Sequence, residues 1–503
     1  MVELTLSGTI YVVSLSLCVK KVIIANNKIM RFGMFACNNI YVNWRNSSCV
    51  LISVLLEVCM KHNTFLEGKI LPSLIKFSIP LMLSLLLQAL YGAVDLLLVG
   101  HFGSTESVSA VASGSQTMQT LSTIIIGLTT GVTVLIGRAI GARDYERASR
   151  VIGAMVKLLL VISIVITLGC LLFSEFLARL MNVPEQAFGK MVQYIMICAC
   201  GIVFITAYNA ISSIFRGTGN SRAPLFFILI ACIVNILADL LLVGVLQMDV
   251  VGAATATVLA QFVSVVFSVR YILKGGLPFK INKESLKSKA EILAILKIGT
   301  PIAMQDFLTS FSFLMITSIV NSLGVVASAS LGIAEKLYIF LAIVPLSFMS
   351  ALSAFVAQNV GAGKSQRATK SLYILTAISF CFGVIMFALT FFAGGTLAMI
   401  FERDVQVIAT TAEFLRGSSF EYLIISISFC MLGYFNGMGK TTFVMIQGLI
   451  TAFLVRVPLS YFLSRIPNSS MFTIGLAVPI SAAVSLFFCI MYFIYTQRSN
   501  KRS

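Results

Sequence analysis

The stretch Phe215-Arg216-Gly217-Thr218-Gly219-Asn220 returns 220 residues later as Phe435-Asn436-Gly437-Met438-Gly439-Lys440. Other landmarks flank both copies. Gly141-Ala142 and Arg147-Ala148 return as Gly361-Ala362 and Arg367-Ala368, also 220 residues on. Ile79-Pro80 returns as Thr300-Pro301 at an offset of 221, and Val251-Gly252 as Ile474-Gly475 at 223. Landmarks in one order at nearly constant spacing mark a duplicated chain. Each Gly-x-Gly joins two apolar runs and is read as a tight turn. Neither completes the Gly-x-x-x-x-Gly-Lys-Ser/Thr spacing of a phosphate loop, so no ATP site is expected.

Both copies are greasy enough to live in a membrane. Apolar residues make up 58% of the chain and charged residues 11%, with a mean hydropathy of +0.98; soluble domains carry about 25% charged residues. Duplicated hydrophobic halves suit a secondary transporter with its substrate path between the repeats. Only His62 and His101 are present, and the eleven Cys show no metal-ligand spacing. No metal or organic cofactor and no enzymatic centre are therefore expected.

Counting apolar runs of about 20 residues predicts spans at 74–100, 107–136, 151–173, 190–213, 224–246 and 251–273 in the first copy. The second copy gives 294–320, 326–356, 371–394, 409–433, 442–463 and 474–496. Six spans per copy is an even number, so both copies insert the same way round. The expected fold is all-α and integral to the membrane: twelve transmembrane helices in two parallel six-helix repeats. The first lobe is assigned to residues 60–280 and the second to 281–503.

The net charge of +17 lies mostly in one set of loops. Those loops hold Arg138, Arg143, Arg147, Arg150, Arg216, Arg222, Lys274, Lys280, Lys283, Lys287, Lys289, Lys364, Arg367, Lys370, Arg498, Lys501 and Arg502. The alternate loops hold few cations, such as Arg179, Lys190, Arg403 and Arg465. By the positive-inside rule the rich side is cytoplasmic, both termini included. The basic excess is thus a topology signal, and no nucleic-acid partner is expected. The polar linker 274–293 is expected to turn helical from Lys283. Residues 1–59 have no counterpart in the second copy and no signal-peptide pattern; they are read as an extension upstream of a start at Met60, dispensable and poorly ordered.

Ionisable groups inside spans are costly and usually retained for a task. The first lobe has Asp95 in span one and Asp239 in span five, both about 8–12 Å from the outer helix ends. Two carboxylates held close in a low dielectric resist ionising together, so one is expected to hold a proton. Asn235 shares a helix face with Asp239. Tyr194, Ser212, Thr255 and Thr257 are candidates for a polar lining, or for plain interhelical hydrogen bonds. The second lobe offers Asp306, Glu335-Lys336, Glu421 and Arg456. Arg456 requires a carboxylate partner, Glu421 or Glu335, as a structural lock or as a substrate- or ion-gating pair.

Taken together these residues resemble the multidrug and toxic compound extrusion (MATE) transporters. The resemblance spans about 65–496. It rests on Pro80 to Val94-Asp95, Gly141-Ala142 with Arg147-Ala148, Arg216-x-Gly-x-Asn220, Asn235-x-x-x-Asp239 and Gln358-Asn359-x-Gly-Ala-Gly363. It implies two six-helix lobes forming a V around a cleft, and export of organic cations driven by H⁺ or Na⁺. Carried over by motif, Asp95 matches the first-span acid and Asn235 and Asp239 the fifth-span pair. Tyr194 and Thr257 match by spacing. Ser212 stands where some members have Asn, and Thr309 where some have Glu, which turns the ion-coupling role toward the first lobe. Ala334-Glu335-Lys336-Leu337 resembles a prokaryotic subgroup, which implies the bacterial cell (inner) membrane. A monomer is expected. The alternative is a flippase of lipid-linked oligosaccharides or other small molecules from the same superfamily, which usually has fourteen spans.

Overall fold

The computed structural model describes residues 65–181, 183–279, 289–467 and 469–502, and among these there is no strand. The extension 1–59 and the Lys283 start of a linker helix lie outside the described residues. Among the described residues, twelve helices are long and apolar enough to cross a bilayer. The first six are α1 (Ile70–Phe102), α2 (Thr105–Gly141), α3 (Tyr145–Leu172), α4 (Glu185–Gly217), α5 (Arg222–Asp239) and α6 (Asp249–Tyr271). α5 continues in π form over Leu240–Val245, and α6 over Ile272–Gly276. The second six are α7 (Lys289–Asn321), α8 (Val325–Leu341 and Ile343–Gly361), α9 (Ser365–Ala398), α10 (Val405–Ser418 and Phe420–Gly437), α11 and α12. α11 runs over Thr441–Leu449, a π segment Ile450–Arg456 and Val457–Ser464; α12 comprises Met471–Gly475 and Ala477–Arg502.

All twelve expected spans are present, but 326–356 and 409–433 are not single rods. α8 breaks at Ala342 because Pro345 has no N–H to offer the carbonyl of Leu341, four residues back. α10 breaks at Ser419, where the hydroxyls of Ser418 and Ser419 bond the carbonyls of Leu415 (3.3 Å) and Arg416 (2.7 Å).

The repeated turns are built alike. After α4 and α10, Gly219 (φ 85°) and Gly439 (φ 62°) turn left-handed, and the next N–H reaches back to Phe215 or Phe435 at 2.8 and 2.9 Å. After α2 and α8 the same hydrogen bond runs from Asp144 to Ala139 and from Lys364 to Asn359. Gly363 takes the left-handed position freely there, whereas Arg143 holds it at a cost of about 1 kcal/mol.

The halves pack by one plan. α2 packs on α7, and its counterpart α8 packs on α1. Equivalent residues meet where α2 crosses α8. A Cβ at Gly137 would touch that of Ala357, one at Gly141 would strike the carbonyl of Gln358, and one at Gly361 that of Arg138. The side chains reciprocate: Gln358 Nε2 donates to the Gly217 carbonyl (2.8 Å) and Arg138 Nη2 to that of Gly437 (3.4 Å). Each residue of one bond is the repeat equivalent of its partner in the other. Such pairing marks a two-fold relation between the repeats, and with six spans in each the axis runs along the membrane normal.

Among the described residues, every hydrogen bond and ion pair between lobes lies at this one end, the end rich in Arg and Lys. Arg367 alone donates to the carbonyls of Phe65, Glu67 and Gly68, clamping the lead-in to α1. At the opposite end the ties stay within a lobe: Lys190 Nζ lies 2.8 Å from Asp249 Oδ2 and bonds Ser104 and Ser107. The polar ties between the lobes are thus gathered at the basic end. Large apolar side chains such as Val161, Val165 and Leu168 on α3 stay exposed, as a lipid-facing surface allows.

Candidate functional site

Four helices of the first lobe bring one polar group together. α1 carries Tyr91 and Asp95 a turn apart on one face, and α5 carries Asn235 and Asp239 likewise. α5 packs on α1 and on α6, and α6 on α4. Asp95 is 4% exposed, Asp239 1% and Asn235 0%. The three side chains are close enough for Asp239 and Asn235 to act on the Asp95 carboxyl. Thr257 of α6 donates its hydroxyl to Asp95 Oδ2 at 3.3 Å. Tyr194 of α4 approaches from beside Cys198, with its hydroxyl 2.9 Å from Ser115 Oγ.

Much of this polarity is unspent. Asp95 Oδ1, both carboxylate oxygens of Asp239, both amide atoms of Asn235 and the Tyr91 hydroxyl are buried without a hydrogen bond of good geometry. Burying a carboxylate that nothing satisfies costs several kcal/mol. A proton or a cation relieves that cost. The donors are carboxylate, amide and hydroxyl oxygens, which suit a proton or a hard cation such as Na⁺.

The acid and amide residues expected from the sequence are thus brought together, with Thr257 and Tyr194 at their edge. Ser212 is not among them. It lies one turn from Tyr208, which also faces Gln88 and Arg216, nearer the basic end. Thr255 spends its hydroxyl on the Val251 carbonyl of its own helix. Tyr91 is a member that the sequence reading passed over. Its spacing, four residues before Asp95, was the available signal.

The second lobe holds a different arrangement. Arg456 Nη2 lies 3.9 Å from Glu421 Oε1, with Glu421 buried and Arg456 half-buried, so Glu421 is the partner. Glu335 is not: it accepts from the Thr317 hydroxyl at 3.0 Å. Arg456 also donates to Ser481 Oγ at 2.9 Å and stacks on Phe313, 5.0 Å from its centroid, with Tyr338 beside the pair. Lys336 is exposed, on another face from Glu335. Asp306 makes no ion pair or side-chain hydrogen bond with any of these residues. The Thr309 hydroxyl bonds the Gln305 carbonyl.

A duplicated chain of twelve membrane-length helices with buried acids in one half is built as a membrane transporter. The chain belongs to the MatE family, whose profile matches residues 80–241 and again 301–462; it is a bacterial MATE transporter. At the landmark offsets of 220 to 223 residues, Asp95 falls opposite 315–318 and Asp239 opposite 459–462, and neither stretch holds an acid. The acid site is therefore not repeated. Among its relatives, the probable multidrug resistance protein YpnP of Bacillus subtilis (strain 168) is 28% identical, over 87% of this chain and 97% of its own. The multidrug export protein MepA of Staphylococcus haemolyticus (strain JCSC1435) is 23% identical, over 77% and 86%. The fold matches a solved structure described as the outward-facing conformation of a multidrug resistance MATE family transporter, with TM-score 0.82 and 21% identity over 88% of this chain and 100% of that one.

Proposed function

We propose that this transporter exports organic cations, drugs among them, from a bacterial cell in exchange for protons taken up at Asp95 and Asp239. The observation that carries this reading is the buried, unsatisfied acid pair on α1 and α5. The names of YpnP and MepA support multidrug substrates. The Arg and Lys excess supports a cytoplasmic position for the basic end and both termini. The closed end then faces the cytoplasm and the cleft opens outward, in the inner membrane. One chain contains both walls of the cleft, which supports a monomeric carrier.

Antiport follows from competition. A carboxylate pair cannot stabilise both a proton and a drug cation at full strength, so binding one weakens the other. Protonation from outside removes charge from the first lobe, lets α1 and α5 repack, and releases the cation. Loss of the proton toward the cytoplasm restores the charge and the affinity.

Asp239→Asn keeps the shape and removes the charge. It is expected to fold, and to lose efflux of a cationic dye from membrane vesicles driven by a pH gradient alone, by at least about tenfold, equivalent to about 1.4 kcal/mol. A sodium gradient applied alone tests the rival ion, for which the same oxygens are ligands. Wild-type rates for both Asp239→Asn and Asp95→Asn under either gradient would sink the reading and move coupling to Glu421, Glu335 and Arg456.

A further inference from the structure

The duplication supplies its own control for a surface that transport leaves unused. The turn joining α2 to α3 and that joining α8 to α9 share one backbone but not one charge. In the first, Arg143, Arg147 and Arg150 are accompanied by Asp144, Glu146 and, from α7, Glu291. Arg147 Nε pairs with Glu291 at 3.3 Å, and Arg150 Nη1 with Glu146 at 3.6 Å. Three cations meet three carboxylates there.

In the second turn Lys364 stands where Asp144 does and Gln366 where Glu146 does, while Arg367 and Lys370 keep their charge. None of these three cations forms an ion pair among the described residues, and the exposed Glu67 forms none with them. Together with Ile70 and Gln366 they line a cavity of about 540 Å³.

Their hydrogen-bonding capacity is not exhausted. Arg367 has five N–H donors and spends three on the carbonyls of residues 65, 67 and 68; Lys364 spends one of three, on the Leu66 carbonyl at 2.9 Å. Lys370 spends none among the described residues. Carbonyls satisfy hydrogen bonds but do not neutralise charge. The cavity lies where α8 ends at Gly361 and α9 begins at Ser365, hence at a membrane boundary. Tyr373, one turn further along α9, is 60% exposed, as residues of an interfacial aromatic belt are.

We propose that this cavity binds the phosphate of an anionic lipid headgroup from the leaflet on the basic side, with Lys364 and Lys370 as its main charges. Arg367 adds charge while clamping α1, so a bound headgroup also steadies the lead-in at residues 65–68.

The test is native mass spectrometry of the full chain released from detergent with phosphatidylglycerol or with phosphatidylcholine. Wild type is expected to retain phosphatidylglycerol selectively. Lys364→Gln/Lys370→Gln is expected to lose that retention by roughly 30-fold, about fivefold for each of the two charges with some coupling. Arg143→Gln/Arg150→Gln in the first turn is expected to change it little. Lys370→Gln alone disturbs no bond in the structure and should lose about fivefold, which keeps the test valid if the double variant does not fold. Competition by millimolar inorganic phosphate would assign the cavity to a free anion and overturn the lipid assignment. Equal losses in both turns, or none in either, would overturn the site.

Discussion

Asn235 and Arg456 lie on the corresponding helices α5 and α11, yet one faces unsatisfied acids and the other a carboxylate partner. Arg456 is held by Glu421, Ser481 and the Phe313 ring, so its charge is spoken for within the second lobe. That favours a structural ion pair over a gating one. Glu421→Gln leaves a half-buried guanidinium without its counter-charge and is expected to cost about 2 kcal/mol, read as a lowered thermal midpoint of the purified protein. Glu421→Met with Arg456→Met removes both charges and is expected to recover most of that loss while transporting normally. A double variant that is stable but inactive would make the pair part of the transport machinery. At this scale Asp95, Asn235 and Asp239 were legible because an acid in a span is costly and a four-residue spacing shares a face. Tyr91 was not, since a tyrosine in a span has the same signature whether it packs or works. The choice of Glu421 over Glu335 depended on tertiary packing, which no spacing encodes.

Helices record the duplication more faithfully than side chains do. The spans and the Gly-x-Gly turns were legible because hydropathy and left-handed φ each leave a direct mark on sequence. The breaks at Ala342 and Ser419 were not, because apolarity runs through them unchanged. The crossing of α2 and α8 depends on glycine at 141 and 361, where backbone meets backbone. Gly141→Val is expected to overpack that crossing at about 1–3 kcal/mol and favour the state in which the lobes part at the basic end. A cysteine introduced at Ala357, fully buried at that crossing, should then react with a membrane-impermeant maleimide, applied from the basic side, roughly tenfold faster than on the unaltered background. An unchanged rate would show that the crossing yields without the lobes moving.

Over the whole molecule, two lobes of one plan carry unlike charges: unsatisfied acids in the first, a compensated Arg456 in the second, and uncompensated Lys and Arg at the second lobe's basic rim. The repeat and its parallel sense were legible from constant offsets and an even span count. The sharing of α1 and α7 between lobes was not, since an offset says that two segments are alike and not which of them touch. Gly141 rests on the carbonyl of Gln358 as Gly361 rests on that of Arg138, so the seam is built like the isologous interface of a two-fold dimer. Such an interface needs no peptide bond across it. Fragments 61–281 and 282–503, coexpressed as separate polypeptides, are therefore expected to find each other in the bilayer, copurify through a tag on either one, and restore dye efflux, while each alone gives none.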